Sequence, residues 1–271
     1  MYLAYYGLKE PPFDITPNPR FLFYSAKHRE AFNHLLFGIR ERKGFVQLTG
    51  EVGAGKTTLC RAMLEELDGR FSTALILNPV MSADELMKAI ATEFGLSVKG
   101  MDRLETISAI NTFLLKQVEQ KKDSVLIIDE AQDLTDDLLE QVRLLSNLET
   151  DSRKLLQIVL MGQPELRDRL NNPKLRQLRQ RITVRYHLSP LKRDEVAHYV
   201  RHRLEVSGAK AAPFFTKPAL WRVHNYSGGI PRLVNALCDK SLLAGYVHQT
   251  PCINWRMVGR AIRELEGNVS S

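Results

Sequence analysis

The sequence contains little cysteine, no long apolar run and no secretory leader. Its three cysteines, Cys60, Cys238 and Cys252, are far apart and odd in number, and none has metal-ligand spacing. No apolar stretch approaches the ~20 residues that a helix needs to cross a bilayer. The first seven residues lack the basic segment and the apolar centre of a signal peptide. These absences predict reduced thiols, a cytoplasmic protein and no membrane insertion by this chain.

The composition is that of an ordinary globular protein, with 271 residues, 44% hydrophobic and 25% charged, and it predicts two domains. The net charge of +7 is concentrated in one block. Residues 167–193 contain nine Lys or Arg and one acid, and the rest of the chain is nearly neutral. Such a block indicates a nucleic-acid or membrane surface, a solvated face, or arginines that serve a nucleotide on a neighbouring subunit.

One loop matches the G-x-x-x-x-G-K-[S/T] phosphate-binding pattern at every defined position. Its residues are Gly50, Glu51, Val52, Gly53, Ala54, Gly55, Lys56 and Thr57. A strand-like segment precedes it and a helix-like segment follows it, so that backbone N–H groups and a helix N-terminus can surround phosphate oxygens. The pattern predicts Lys56 on the β- and γ-phosphates and Thr57 on Mg²⁺.

The second strong motif is an acid pair, Asp129 and Glu130, which directly follows a run of apolar residues. Asp129 can orient the Mg²⁺ shell, and Glu130 can polarise a water for attack on the γ-phosphate. A nucleoside kinase has no need of such a glutamate, and the Asn-Lys-x-Asp motif by which GTPases read guanine is absent. The pair therefore favours a hydrolase over a kinase or a GTP switch.

Strand-like and helix-like segments alternate through the first two thirds of the chain. The predicted strands are Phe45–Leu48, Thr73–Leu77, Ser124–Ile128, Leu155–Met161 and Ile182–His187. This alternation predicts an α/β fold with a parallel five-stranded sheet and helices on both faces. We expect residues 1–188 to form an N-terminal arm and this core domain.

Only helices are expected from Arg193 onward, so residues 189–271 are predicted to form a small all-helical lid domain. The predicted helices are Glu195–Val206, Lys217–Asn225, Pro231–Val247 and Trp255–Leu265. A glycine turn precedes Pro231, which suits the first turn of a helix. Arg232 therefore lies at the start of that helix, and its side chain either reaches the γ-phosphate or faces water. His198 and His202 have the spacing of a helical zinc pair, but no third ligand is evident.

The roles of Gln163 and of the N-terminal arm each have two interpretations. Gln163 follows the fourth strand, where it either contacts the γ-phosphate or the attacking water, or lies in a plain turn. The arm is rich in aromatic residues and in proline between Pro11 and Pro19. It either wraps the nucleotide base or packs on the protein, and both alternatives can hold for different residues.

The order of these parts resembles the AAA+ class of P-loop NTPases, and more narrowly the ExeA/GspA secretion-pathway ATPases and their relatives in MSHA pilus biogenesis and exosortase loci. The resemblance covers essentially the whole chain. It is carried by Tyr5–Leu8, Pro12–Phe13, Phe21–Phe23, His28–Ala31, Gly50–Thr58, Asp129–Gln132, Gly162–Leu166 and Gly228–Arg232. MuB- and TniB-like transposition ATPases share the general layout.

The resemblance implies ATP as the nucleotide, Thr58 as part of its site, Gln163 as sensor 1 and Arg232 as sensor 2. It implies that Arg179 or Arg181 is an arginine finger that completes a neighbour's site in a ring or filament. Asn78 would lie where some AAA+ proteins hold the catalytic glutamate inactive until a partner binds. The N-terminal arm would lie near adenine.

Proteins of the ExeA type continue into a membrane-spanning helix and a peptidoglycan-binding region, and this chain stops at Ser271 with neither. It is expected to be the cytoplasmic part of an inner-membrane protein or a shorter relative. The leading hypothesis is an oligomerising, Mg-dependent ATPase that drives assembly of a secretion or pilus apparatus through a membrane partner protein. The alternatives are an ATP-dependent DNA-binding adaptor of the transposition type and a scaffold that binds ATP but scarcely hydrolyses it.

Overall fold

The computed structural model describes residues 2–67, 69–149, 153–210 and 213–267. Residue 1, where the first predicted domain begins, and residues 268–271, where the second one ends, lie outside the described ranges. Backbone contacts divide the chain into two compact units. The sheet unit comprises Arg29–Gly50 and Cys60–Leu188, and the helical unit comprises Met1–His28, Glu51–Leu59 and Ser189–Ser271.

Five parallel strands form the centre of the sheet unit, in the order β2-β3-β4-β1-β5. Their bounds are β1 Phe45–Gly50, β2 Phe71–Ile76, β3 Asp123–Ile128, β4 Leu156–Gly162 and β5 Ile182–Leu188. The residues of β1 and β4 are buried without alternation, which is typical of strands that are covered on both faces. The predicted five-stranded parallel sheet is therefore confirmed, with strand ends that differ by one or two residues.

Helices connect these strands, and most begin with a cap that the sequence carries locally. They are α2 Ala26–Arg40, α3 Lys56–Leu67, α4 Ala83–Glu93, α5 Arg103–Glu119, α6 Asp136–Leu145, α7 Pro164–Leu170 and α8 Arg176–Arg181. Ser82 and Asp102 form capping boxes with Glu85 and Glu105 at the starts of α4 and α5. A short 3-10 turn, Ala131–Asp133, follows β3 and keeps the acid pair at the end of that strand.

The helical unit contains α1 Tyr2–Tyr6, a 3-10 turn Pro19–Phe21, and four longer helices. These are α9 Arg193–Val206, α10 Lys217–Ser227, α11 Pro231–Val247 and α12 Trp255–Leu265. Tyr6, Leu8 and Phe13 of the arm are buried in the same apolar core as these helices. The predicted helical C-terminal region is therefore confirmed.

The prediction that this region is all-helical was wrong in one detail, because the structure contains two short strands there. Phe214–Phe215 (β6) pairs in parallel with Cys252–Ile253 (β7). Each strand is two residues long, so neither carries the alternation by which a sequence indicates a strand. Among the described residues, no helix combines the length and the apolar character that crossing a bilayer requires.

Candidate functional site

The phosphate loop of the helical unit joins the end of β1 at Gly50 to the start of α3 at Lys56. Gly53 and Gly55 have positive φ angles of 79° and 100°, a conformation that residues with a Cβ rarely adopt. The Ala54 N–H donates to the Glu51 carbonyl at 3.1 Å and closes a tight turn. The buried Lys56 ammonium donates to the same carbonyl at 3.1 Å. The loop therefore has the backbone form of an anion cradle.

Arg232 begins the first turn of α11 against this loop. Its backbone N–H donates to the Gly53 carbonyl at 3.2 Å. A Cβ placed on Gly53 would lie 2.4 Å from the Arg232 Cβ, so glycine is required for this approach. Gly229 is equally constrained, because a Cβ there would lie 1.9 Å from the Leu191 carbonyl oxygen. The structure therefore brings the predicted sensor arginine to the predicted phosphate loop.

His28 also contacts the loop, a role that its position in the sequence does not indicate. Its Nε2 lies 3.1 Å from the Ala54 carbonyl oxygen, and its Nδ1 lies 2.8 Å from Ser25 Oγ. Because a carbonyl only accepts, Nε2 carries the hydrogen and Nδ1 accepts from the hydroxyl. Burial lowers the pKa of His28, which favours this neutral form. The only sequence signal was its place in the His28–Ala31 segment that carried the resemblance.

The acid pair occupies the carboxyl end of β3 in the sheet unit. Asp129 is buried, and its Oδ1 accepts the backbone N–H of Glu130 at 2.9 Å. Glu130 has a left-handed backbone with φ of 50°, which is uncommon for a residue with a Cβ. Strain of this kind persists where the surroundings fix it, and it is frequent at functional sites.

The Glu130 carboxylate accepts hydrogen bonds from two amide side chains. Gln132 Nε2 donates to Glu130 Oε2 at 2.8 Å, and Gln163 Nε2 donates to the same oxygen at 3.3 Å. The Gln163 backbone N–H donates to Gln132 Oε1 at 3.0 Å, which closes a three-residue network. Gln163 therefore contacts the acid predicted to be the base. Gln132 is a residue for which sequence reasoning stated no role.

The order of the strands explains why Gln163 lies close to the acid pair. Strand β4 lies between β3 and β1, and Thr49 pairs in register with Gly162. Because the carboxyl ends of parallel strands lie at one edge, Gly50 at the end of β1 lies at the same edge as Asp129 and Gln163, which follow β3 and β4. A ligand site is typically found outside this edge of an open α/β sheet.

The two candidate finger arginines have different surroundings. Arg181 donates to Ser146 Oγ at 2.6 Å and so binds the residue that ends α6. Arg179 is half-buried, and its side chain makes a long hydrogen bond of 3.5 Å to Asn171 Oδ1. Arg169, from the same basic block, forms an ion pair with Asp136 at 2.7 Å. Part of the block is therefore engaged within the sheet unit, whereas Arg167, Lys174 and Arg176 are exposed.

Three weaker interpretations can be compared with the structure. Asn78 is exposed, and its side chain accepts the Val80 N–H at 3.3 Å, whereas the amides that contact Glu130 come from Gln132 and Gln163. His202 packs beside the Phe23 ring at 5.7 Å, and the described residues contain no group of three or more potential metal ligands of the His, Cys, Asp and Glu types. The arm aromatics that lie in the helical core are packing residues, and a role near adenine stays a prediction.

The strand order, the loop after β1 and the acid pair after β3 define a P-loop NTPase of the AAA class. A family model described as "AAA domain" matches residues 39–170. Two solved structures share the fold. The Aeropyrum pernix ORC2 protein has a TM-score of 0.73 with 15% identity, covering 97% of this chain and 73% of that chain. Cdc6p from Pyrobaculum aerophilum has a TM-score of 0.71 with 16% identity, covering 93% of this chain and 70% of that chain.

A more specific similarity is to general secretion pathway protein A of Aeromonas hydrophila, which is 47% identical over 268 residues. The match covers 98% of this chain and 49% of the relative, so the chain spans about half the length of the curated relative that it matches. The chain is related to general secretion pathway protein A over nearly its whole length and contains a match to the AAA domain, so the resemblance stated from the sequence is confirmed.

Proposed function

We propose that this protein hydrolyses ATP in a magnesium-dependent reaction and uses the cycle to drive assembly of a cell-envelope secretion or pilus apparatus. The observation that carries the hydrolytic part is the Glu130 carboxylate, held by two amides at the end of β3. An amide-held carboxylate at this edge of the sheet is suited to polarise a water.

The remaining roles follow from the chemistry of each side chain. Lys56 and the loop residues Gly50–Thr58 bind the phosphates, and Arg232 senses the γ-phosphate from the start of α11. Gln163 orients the water beside Glu130. Thr57 and Asp129 are the proposed magnesium ligands on their chemistry alone, because a hydroxyl and a carboxylate are the hard oxygen donors that Mg²⁺ prefers. When bound, the ion would neutralise part of the negative charge on the phosphates.

The first test is ATP turnover by the wild-type protein and by Lys56→Ala. Removing the ammonium that contacts the phosphates is expected to lower turnover by roughly 10²-fold or more and to weaken nucleotide binding. Lys88→Ala is the matched control, because Lys88 is exposed on α4. Wild-type turnover at background level with Mg-ATP would refute hydrolysis, and the ATP-binding scaffold would then be favoured.

The biological process is proposed from the relative named for general secretion, which is 47% identical to this chain. A membrane protein of the secretion or pilus system is the proposed partner. The proposed location is the cytoplasm, where ATP is available and where free thiols persist. All three cysteines are free, and burial raises the pKa of Cys60 and Cys238, so that these thiols stay protonated.

We expect a ring or filament in which Arg179 completes the site of a neighbouring subunit. Arg179→Ala should abolish the rise in turnover per subunit that accompanies increasing protein concentration, with a loss of at least about tenfold, because fingers act on the transition state. Arg181→Ala should instead lower thermal stability, since Arg181 binds the end of α6. Turnover per subunit that does not depend on concentration in the wild type would contradict a finger supplied by a neighbour.

A DNA-binding adaptor of the transposition type is the second candidate. The exposed part of the basic block favours it, since Arg167, Lys174 and Arg176 are available to phosphates. It ranks second because other arginines of the block are engaged within the sheet unit.

A further inference from the structure

We propose that Gln132 is a positioning residue for catalysis, which holds Glu130 in the orientation that activates water. The inference rests on the proposed ATP hydrolysis. It concerns one side chain that joins the turn after β3 to the end of β4 through hydrogen bonds to both.

The orientation of the Gln132 amide follows from its partners. A backbone N–H can only donate, so the atom of Gln132 that faces the Gln163 N–H at 3.0 Å is its carbonyl oxygen, Oε1. The NH₂ group must then face Glu130, where it donates to Oε2 at 2.8 Å. The main chain of the strand next to β3 thereby fixes which end of the amide reaches the acid.

The surroundings of Gln132 are shaped for this contact. A Cβ on Gly162 would lie 2.7 Å from Gln132 Oε1, so any larger residue there would displace the amide. Arg169 donates to the backbone carbonyls of Gln132 and Leu134 and also pairs with Asp136. Both the side chain and the backbone of Gln132 are therefore held from β4 and α7.

In this geometry the two carboxylate oxygens of Glu130 have different roles. Both amide donors, from Gln132 and Gln163, bind Oε2. No residue in the described ranges donates to Oε1. Oε1 is consequently the oxygen that faces the attacking water, and Gln132 keeps the carboxylate from rotating away from it.

The test is Gln132→Glu, which retains the size of the side chain but removes its donor. We expect kcat to fall at least about tenfold while the KM for ATP stays within about twofold, because a misdirected base affects chemistry more than nucleotide binding. Gln120→Glu, an exposed position at the end of α5, is the charge-matched control and should retain wild-type kcat.

A double-mutant cycle with Glu130→Gln separates positioning from a general structural effect. If Gln132 acts through the carboxylate of Glu130, Gln132→Glu should cause little further loss in the Glu130→Gln background. Losses that multiply independently in the double variant would overturn the inference, as would wild-type kcat in Gln132→Glu. Wild-type protein that turns over no ATP would instead refute the proposed function itself, so the two failures are distinguishable.

Discussion

Glu130→Gln is expected to bind ATP with near wild-type affinity and to hydrolyse it about 10²- to 10⁴-fold more slowly, which is the range that a general base supplies. The amide keeps the size of the side chain but cannot accept a proton from water. It also retains an oxygen that can accept from Gln132 and Gln163, so the local fold should persist. Single-turnover hydrolysis and equilibrium ATP binding, measured on the same preparation, check both parts.

Asp133→Asn is the matched control for that variant, because Asp133 is an exposed acid in the 3-10 turn that directly follows Glu130. It removes one negative charge three residues from Glu130 and should leave turnover unchanged. If Glu130→Gln hydrolyses ATP at the wild-type rate, Glu130 is not the base. If it fails to bind ATP, the variant reports on folding or affinity rather than on the chemical step.

Arg203→Ala is expected to produce the largest loss of stability among these variants. Arg203 is buried in α9 and donates to the backbone carbonyl groups of Pro12 and Asp14 in the N-terminal arm. It also donates to the Tyr199 hydroxyl at 3.2 Å, and its guanidinium lies 4.6 Å from the centre of the Phe21 ring. Truncation removes charge-assisted hydrogen bonds and leaves the buried Pro12 carbonyl without the Arg203 donor, whereas the Asp14 carbonyl keeps the Asn235 amide at 3.3 Å. We expect a cost of about 3 kcal/mol.

The loss should appear as a fall in Tm of ~6–12 °C, given the size scaling for a chain of this length. The arm should also become more accessible, so that trypsin cleaves after Lys9 and Arg20 faster than in the wild type. Arg201→Ala is the matched control, because Arg201 is exposed on the same helix. Unchanged Tm and unchanged cleavage in Arg203→Ala would show that other contacts hold the arm.

Local patterns explain why much of the fold could be predicted from the sequence. The phosphate loop, the apolar strands and the capping boxes at Ser82 and Asp102 depend on residues that are at most a few positions apart. Their hydrogen bonds and burial follow from spacing alone. The two-residue strands of the helical unit were missed for the same reason, since they are too short for any period to appear.

The site was only partly predictable. The residue types and their order indicated Lys56, Asp129, Glu130, Gln163 and Arg232. The sequence alone did not indicate that Gln132 joins two of them, because its partner Gln163 lies 31 residues away. It did not show that Arg181 binds Ser146, 35 residues earlier, and so differs from Arg179.

The sequence by itself determined the class of this protein, because a phosphate loop needs its glycines, lysine and hydroxyl residue in consecutive positions. The tertiary structure decided which side chains surround them. Register between parallel strands brings Gln132 to Gln163, and packing of α9 brings Arg203 to Pro12, 191 residues earlier in the chain. Such contacts depend on how distant segments are brought together, and spacing along the chain carries no information about that.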